Sequence, residues 1–162
     1  MKHFDCIIVG SGPAGLGAAF ELKEKLPKTS ILILERSKIS SGGLRNDCKM
    51  NFTFPVGFPT EYWTKESATY YLEKIENFLK PKILKKNKFD VYSKRAERIG
   101  VELLQIRQSH LGTDGGIKLI HELVERLKKL DVIFSFNEEV KSAEKEKRIL
   151  HTNKNIYSFG NL

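Results

Sequence analysis

The sequence predicts a mixed α/β fold built on a parallel β-α-β unit, and three stretches carry that expectation. Cys6-Ile7-Ile8-Val9 is a short apolar run of the kind buried on both faces of a parallel sheet. Directly after it, Gly10-Ser11-Gly12-Pro13-Ala14-Gly15 is a G-x-G-x-x-G turn that opens into the small-residue run Leu16-Gly17-Ala18-Ala19. Ile31-Leu32-Ile33-Leu34 is a second apolar strand, and it closes on an acid, Glu35. A G-x-G-x-x-G alone occurs in ordinary turns. Strand, glycine turn, helix, strand and terminal acid in this order form the fingerprint of a Rossmann-like FAD/NAD(P)-binding domain.

Each residue of the fingerprint has its own physical task. Gly10 lets the chain turn sharply out of the strand, where a side chain would strain the backbone. Gly12 lets the backbone come close to a pyrophosphate, and Gly15 and Ala19 let the helix pack tightly on the strand beneath. The amides of the helix's first turn, with the helix dipole, face the phosphate charge. The whole turn, Gly10, Ser11, Gly12, Pro13, Ala14 and Gly15, is therefore the candidate phosphate cradle. Glu35 stands 25 residues after Gly10, close to the ~20 expected of an acid that accepts hydrogen bonds from ribose hydroxyls. Its carboxylate repels a 2′-phosphate, which disfavours NADP and leaves FAD and NAD. Arg36 beside it tolerates a phosphate and keeps NADP within range.

Beyond Glu35 the pattern leaves regular structure. Residues 37–59 form a long glycine-rich and aromatic loop containing Gly42-Gly43-Leu44-Arg45-Asn46-Asp47 and Phe52, Phe54, Val56 and Phe58; loops of this length in compact domains are functional or disordered, and the aromatic content argues against disorder. A helix is expected over 61–80, with Ala68, Tyr71, Leu72, Ile75, Phe78 and Leu79 on one stripe, stopped by Pro81. A weaker helix is expected over 92–99, a strand over 101–106 and a loop over 110–116. Ile117, Ile120, Leu123, Val124, Leu127 and Leu130 recur at helical spacing. A strand follows at 132–136, and the tail 138–162 alternates short β-like runs with turns, as an antiparallel meander does. The expected division is 1–36 for the dinucleotide fingerprint, 37–131 for a cofactor-facing loop and helical insertion, and 132–162 for strand and meander.

Composition narrows the class. The 162 residues amount to one domain, 40% of them hydrophobic, enough for a core. No apolar run is long enough to span a bilayer, and Met1-Lys2-His3-Phe4 leads straight into the first strand without a signal region, so no membrane association and a cytoplasmic location are expected. The net charge of +8 is spread along the chain without a nucleic-acid-binding motif, so no nucleic-acid partner is expected. Cys6 and Cys48 show no metal or redox spacing, and no metal is expected.

Gly42-Gly43-Leu44-Arg45-Asn46-Asp47 and His110-Leu111-Gly112-Thr113-Asp114, together with the fingerprint, resemble the N-terminal part of the FAD-dependent dehydrogenases among the two-dinucleotide-binding-domain, glutathione-reductase-like flavoproteins. That resemblance implies FAD as cofactor, with NAD second. It also implies that Gly42-Gly43 approach the pyrophosphate and ribityl region, and that the backbone at Glu139-Val140 contacts adenine. Members of the superfamily are longer and carry a later A-T-G motif and a C-terminal G-D motif, neither of which occurs here. The expected fold is thus incomplete at its C-terminus. Two readings follow: an FAD-binding oxidoreductase or its N-terminal fragment, or a truncated or split-gene product without activity of its own that serves as a nucleotide-binding or assembly subunit. Expected partners are FAD, a small-molecule substrate or electron carrier of unknown identity, and either a C-terminal companion segment or a second copy. The catalytic residues are left unassigned. His110 and Asp114 form an acid/base pair or an ordinary loop contact. Arg45 and Asp47 flank the flavin or pair with each other. Cys48 reads as a structural or exposed thiol, and Trp63, Tyr70 and Tyr71 as core packing.

Overall fold

The computed structural model describes residues 1–38, 48–84 and 89–162. In chain order the elements are β1 (Lys2–Val9), α1 (Pro13–Lys25), β2 (Ile31–Glu35), β3 (Cys48–Asn51), α2 (Lys65–Leu79), α3 (Phe89–Glu97), β4 (Gln108–Leu111), α4 (Gly112–Lys128), β5 (Val132–Phe136), β6 (Val140–Glu144), β7 (Ile149–Thr152) and β8 (Ile156–Asn161). They fall into two compact units, residues 1–48 with 112–162, and residues 49–111.

The first unit is a six-stranded sheet in the order β5-β2-β1-β8-β7-β6. Its β5-β2-β1-β8 half is parallel. β2 lies between two neighbours and buries Ile31, Leu32, Ile33 and Leu34 on both faces, which is why it reads as an unbroken apolar run. Phe4, Ile7, Leu32, Leu34, Leu150, Tyr157 and Phe159 form one apolar cluster, with Val140 packed against it. α1 starts with Pro13 in its first turn, a position where proline's missing N–H costs nothing. Near the other end of α1, the buried Lys23 ammonium donates to the carbonyls of Pro27 (3.1 Å) and Thr29 (2.8 Å) and fixes the turn into β2. α4 buries Ile120, Leu123, Val124 and Leu127 and packs against α1 and β5, where the Arg126 guanidinium lies 5.1 Å above the Phe20 ring. It therefore belongs to the sheet-bearing unit, although the sequence groups it with the insertion.

Several expectations change. α4 begins at Gly112, so residues 112–116, expected as loop, are helical; Asp114 in the first turn suits the positive end of the helix dipole. The strand expected at 101–106 is absent, and a strand forms instead at 108–111, where β4 finds an antiparallel partner in β3. α3 spans 89–97 rather than 92–99. The tail is the expected meander, but its last strand does more than close a hairpin. β8 runs antiparallel to β7 and parallel to β1, pairing Lys2 with Tyr157 through Cys6 with Asn161. β8 is thus the fourth parallel strand of the core sheet as well as the last strand of the meander. It lies so close to β1 that a Cβ at Gly160 would stand 2.6 Å from the Asp5 carbonyl oxygen.

In the second unit, α2 is capped by Thr64, whose hydroxyl accepts from the Ser67 N–H at 3.2 Å, and Arg107 pairs with Glu76 at 2.6 Å. On α2 only Ala68 and Leu72 of the expected stripe are buried. Phe54, Phe58, Trp63, Tyr71 and Tyr70 form a chain of ring contacts. Tyr70 and Tyr71 are exposed rather than core residues, their rings packing edge-on against each other and, for Tyr71, against Trp63. No helix among the described residues is long and apolar enough to cross a membrane.

Candidate functional site

At the carboxyl ends of β1 and β2, a cleft of about 570 Å³ is lined by Val9, Gly10, Gly12, Pro13, Leu34, Glu35, Arg36, Ser37, Glu138, Glu139 and Val140. Its size suits a small-molecule site. Its position, outside the carboxyl ends of parallel strands, is where open α/β sheets bind ligands.

The glycines do what their positions demand. Gly10 has φ +95°, and its N–H donates to the Leu34 carbonyl at 2.8 Å, so the turn is tied to β2. A Cβ at Gly15 would stand 2.2 Å from the Gly10 carbonyl oxygen and 3.2 Å from Ile8 Cγ2, so any side chain there would drive α1 off the turn. Gly12 is the opposite case. A Cβ at Gly12 meets nothing within 4 Å, and the residue faces the cleft. Gly12 is the N-cap of α1 and has no side chain with which to cap its first turn, so among the described residues the cap leaves the leading amides of the helix open to an anion. An open approach over Gly12 beside an uncapped helix start fits a pyrophosphate.

Ser11 lies under the turn, fully buried. It gives both its hydroxyl (2.6 Å) and its N–H (3.1 Å) to Glu35 Oε2, while the Ser37 N–H donates to Oε1 at 2.9 Å. Burial pushes the Glu35 carboxyl up, but the bonds from Ser11 and Ser37 outweigh it and hold the group below its ordinary value. Glu35 is thus anionic at neutral pH. Both Ser11 and Ser37 thus hold the carboxylate by backbone and side chain together, which fixes its orientation at the edge of the cleft.

The far wall is set by Glu138, a residue the sequence did not single out. Its carboxylate is buried and accepts from Ser135, Thr152 (2.6 Å), Asn155 (3.1 Å) and Tyr157 (3.0 Å). Burial raises its pKa, and these four donors outweigh that and leave it lowered. Its N–H donates to the Glu35 carbonyl (2.9 Å), and the Asn137 N–H to the Ser37 carbonyl (3.0 Å), so the start of the meander is stitched to the end of β2. Glu139 is held on the other side, where its N–H donates to Asn153 Oδ1 (2.8 Å) and its carbonyl accepts from the Asn153 N–H (3.0 Å). That bond makes Val140–Thr152 the wide, non-hydrogen-bonded pair of the β6–β7 ladder. The N–H and C=O of Val140 therefore point away from β7, along the outer edge of the sheet. Val140 in this wall was expected from the family resemblance, whereas for Glu138 the sequence offered no signal beyond the repeated acids of 138–139.

Of the sequence-predicted residues, Gly10, Gly12, Pro13, Glu35, Arg36 and Val140 line one cleft, with Ser11 beneath it and Ala14 and Gly15 in the first turn of α1. Gly42, Gly43, Leu44, Arg45, Asn46 and Asp47 lie outside the described residues. His110 is exposed on β4 in the second unit, whereas Asp114 belongs to the first turn of α4 in the first unit. Cys48 is buried, and Cys6 is half-buried, its thiol pushed up by burial and by the Asp5 charge. Among the described residues no cluster of metal-ligating side chains is present.

The chain is similar to known proteins in part of its sequence and in its fold. The model of the Thi4 family matches residues 1–76. An FAD-containing monooxygenase of Mycolicibacterium smegmatis is 35% identical over 75 residues, a stretch covering 41% of this chain and 15% of that protein. The FAD-bound L-α-glycerophosphate oxidase of Mycoplasma pneumoniae superposes with a TM-score of 0.62 at 14% identity, over 99% of this chain and 53% of that one. A 3-ketosteroid-Δ4-(5α)-dehydrogenase from Rhodococcus jostii RHA1 gives 0.60 at 15% identity, over 98% and 44%. The chain is similar in part of its sequence to an FAD-containing monooxygenase and in fold to these two oxidoreductases. It spans about 15% of the length of the monooxygenase, and its fold is their Rossmann-like dinucleotide-binding fold.

Proposed function

We propose that the cleft binds the ADP moiety of FAD, and that the chain is the dinucleotide-binding portion of an FAD-dependent oxidoreductase. The observation that carries this reading is the pairing of an open Gly12, over an uncapped helix start, with an anionic Glu35 on the neighbouring strand. Gly10 to Gly15 receive the pyrophosphate, and Glu35 receives one ribose hydroxyl. Arg36 flanks it, and the outward N–H and C=O of Val140 meet the edge of the adenine ring. Following the family resemblance, Gly42 and Gly43 serve the pyrophosphate and ribityl side, with Leu44, Arg45, Asn46 and Asp47 as the adjoining cofactor-binding residues. The FAD-containing monooxygenase and the FAD-bound oxidase support FAD over NAD.

When bound, the flavin supplies the hydride chemistry, and the protein supplies placement and electrostatics. Glu35 excludes a 2′-phosphate by like charge, and Ser11 keeps that carboxylate ionised and fixed. The reading is tested by calorimetric titration of the chain with FAD, ADP and NAD, in parent and Glu35→Ala forms. One charged hydrogen bond is worth about 1.5–3 kcal/mol, so the variant should bind FAD and ADP roughly 10- to 150-fold more weakly. Equal affinity in parent and variant would remove Glu35 from the site, and no binding of either adenine ligand by the parent would overturn the assignment.

A further inference from the structure

We propose that Glu138 is the positioning residue for the adenine end of this cleft, so that its carboxylate sets the selectivity for adenine over other purines. The inference rests on the ADP-binding reading above and adds a residue that reading does not use.

Glu138 is 1% exposed, and among the described residues its four side-chain partners, Ser135, Thr152, Asn155 and Tyr157, are all neutral. A buried anion without a cation is tolerated only where several donors converge on it. Here they converge from β5, from the end of β7, from the β7–β8 turn and from β8. Tyr157 is itself wedged edge-on against Phe4 of β1, ring centroids 6.0 Å apart. One carboxylate thus gathers the elements that surround the start of β6, and its own N–H is bonded to the end of β2. Glu139 and Val140 follow it directly and line the cleft. Where Glu138 sits decides where the outward N–H and C=O of Val140 sit.

That pair of groups has a specific partner chemistry. An N–H beside a C=O matches adenine, which offers a ring-nitrogen acceptor beside an amino donor. Hypoxanthine reverses both, with a carbonyl in place of the amino group and a protonated ring nitrogen. A wall held in register should reject inosine diphosphate, because two buried polar groups would each face a like partner. A wall that has slackened should not.

The test compares binding of ADP, inosine diphosphate and inorganic pyrophosphate to the full chain by calorimetry, in parent, Glu138→Gln and Tyr157→Phe forms. The parent should prefer ADP over inosine diphosphate at least tenfold. Glu138→Gln keeps the shape but loses two strong acceptor positions; its preference should fall at least fivefold, with pyrophosphate affinity unchanged within twofold. Tyr157→Phe removes one donor and should lie between them, and it carries the test if Glu138→Gln does not fold. A lowered melting temperature with the adenine preference intact would show a merely structural role and overturn the proposal alone. A parent chain that binds ADP and inosine diphosphate equally would likewise overturn this inference alone, whereas one that binds neither would overturn the ADP-site reading and this inference with it.

Discussion

Two glycines three residues apart should respond to substitution in opposite ways. At Gly15 a methyl group would stand 2.2 Å from the Gly10 carbonyl oxygen, more than an ångström inside an ordinary contact, and the obstacle is backbone. Overpacking of this kind costs typically about 1–3 kcal/mol. Here the upper end applies, because neither α1 nor the turn can move without breaking the Gly10–Leu34 bond of 2.8 Å. For a chain of this length about 3 kcal/mol lowers the melting temperature by roughly 6–12 °C. At Gly12 the larger change to valine meets open space, and the local backbone, φ −73° and ψ 178°, is one that any residue adopts. The loss of a glycine N-cap, about 0.5–1 kcal/mol, is offset by a similar gain from a stiffer unfolded chain. Gly12→Val should therefore melt within a few degrees of the parent. On the proposed ADP site, ligand separates the two further: ADP at a hundred times its Kd should stabilise the parent by about 2.7 kcal/mol, and Gly12→Val should show no such rise, since its side chain would occupy the place proposed for the phosphate. Circular-dichroism melts with and without ADP read both effects. A Gly12→Val chain destabilised as much as Gly15→Ala, or a Gly12→Val chain still stabilised by ADP, would refute the reasoning.

Three further outcomes follow from the same structure. Glu35 and Glu138 titrate below their ordinary values, so the stability they contribute is complete above about pH 4.3 and is lost as pH falls through the lower folded values; denaturant melts should show a plateau down to about pH 5 and a fall below it, shallower in Glu35→Gln, and a parent chain that gains stability on acidification would contradict this. Lys23→Met removes an ammonium that serves the Pro27 and Thr29 carbonyls and should cost about 1.5–3 kcal/mol in urea unfolding. Thr64→Ala removes the cap of α2 and should lower stability by about 1 kcal/mol, read as faster amide exchange over the first turn of that helix.

The β-α-β core was legible because its signals are local. An apolar run, a turn rich in glycine and a small-residue helix need no distant partner to be recognised, and Gly10, Gly15 and Glu35 stand in the turn and at the end of β2 as their chemistry requires. The errors lie where pairing is non-local. Val101 to Ile106 has strand-like composition but no ladder partner, whereas Gln108–Leu111 becomes a strand because Cys48–Asn51 lies beside it. The glycines of 112–116 suggested a loop, yet they open a helix whose apolar stripe is buried by the sheet-bearing unit. Glu138 was invisible for a related reason. Its donors stand at 135, 152, 155 and 157, and nothing in a sequence marks hydroxyls and amides that converge only after a hairpin has closed.

The stitching of Asn137 and Glu138 to Ser37 and Glu35 also bears on how the chain folds. The two halves of the cleft lie ~100 residues apart in sequence, and bringing such ends together costs on the order of 4 kcal/mol of chain entropy by the logarithmic loop law. Neither half gains from the other until β2 and β5 have paired, so the cleft belongs to the late part of folding, after the local contacts of α1 and the β6–β7 hairpin. The amides of Asn137 and Glu138 should then exchange with solvent only when the parallel sheet opens as a whole. They should report the stability of the entire unit rather than that of the short meander in which they sit.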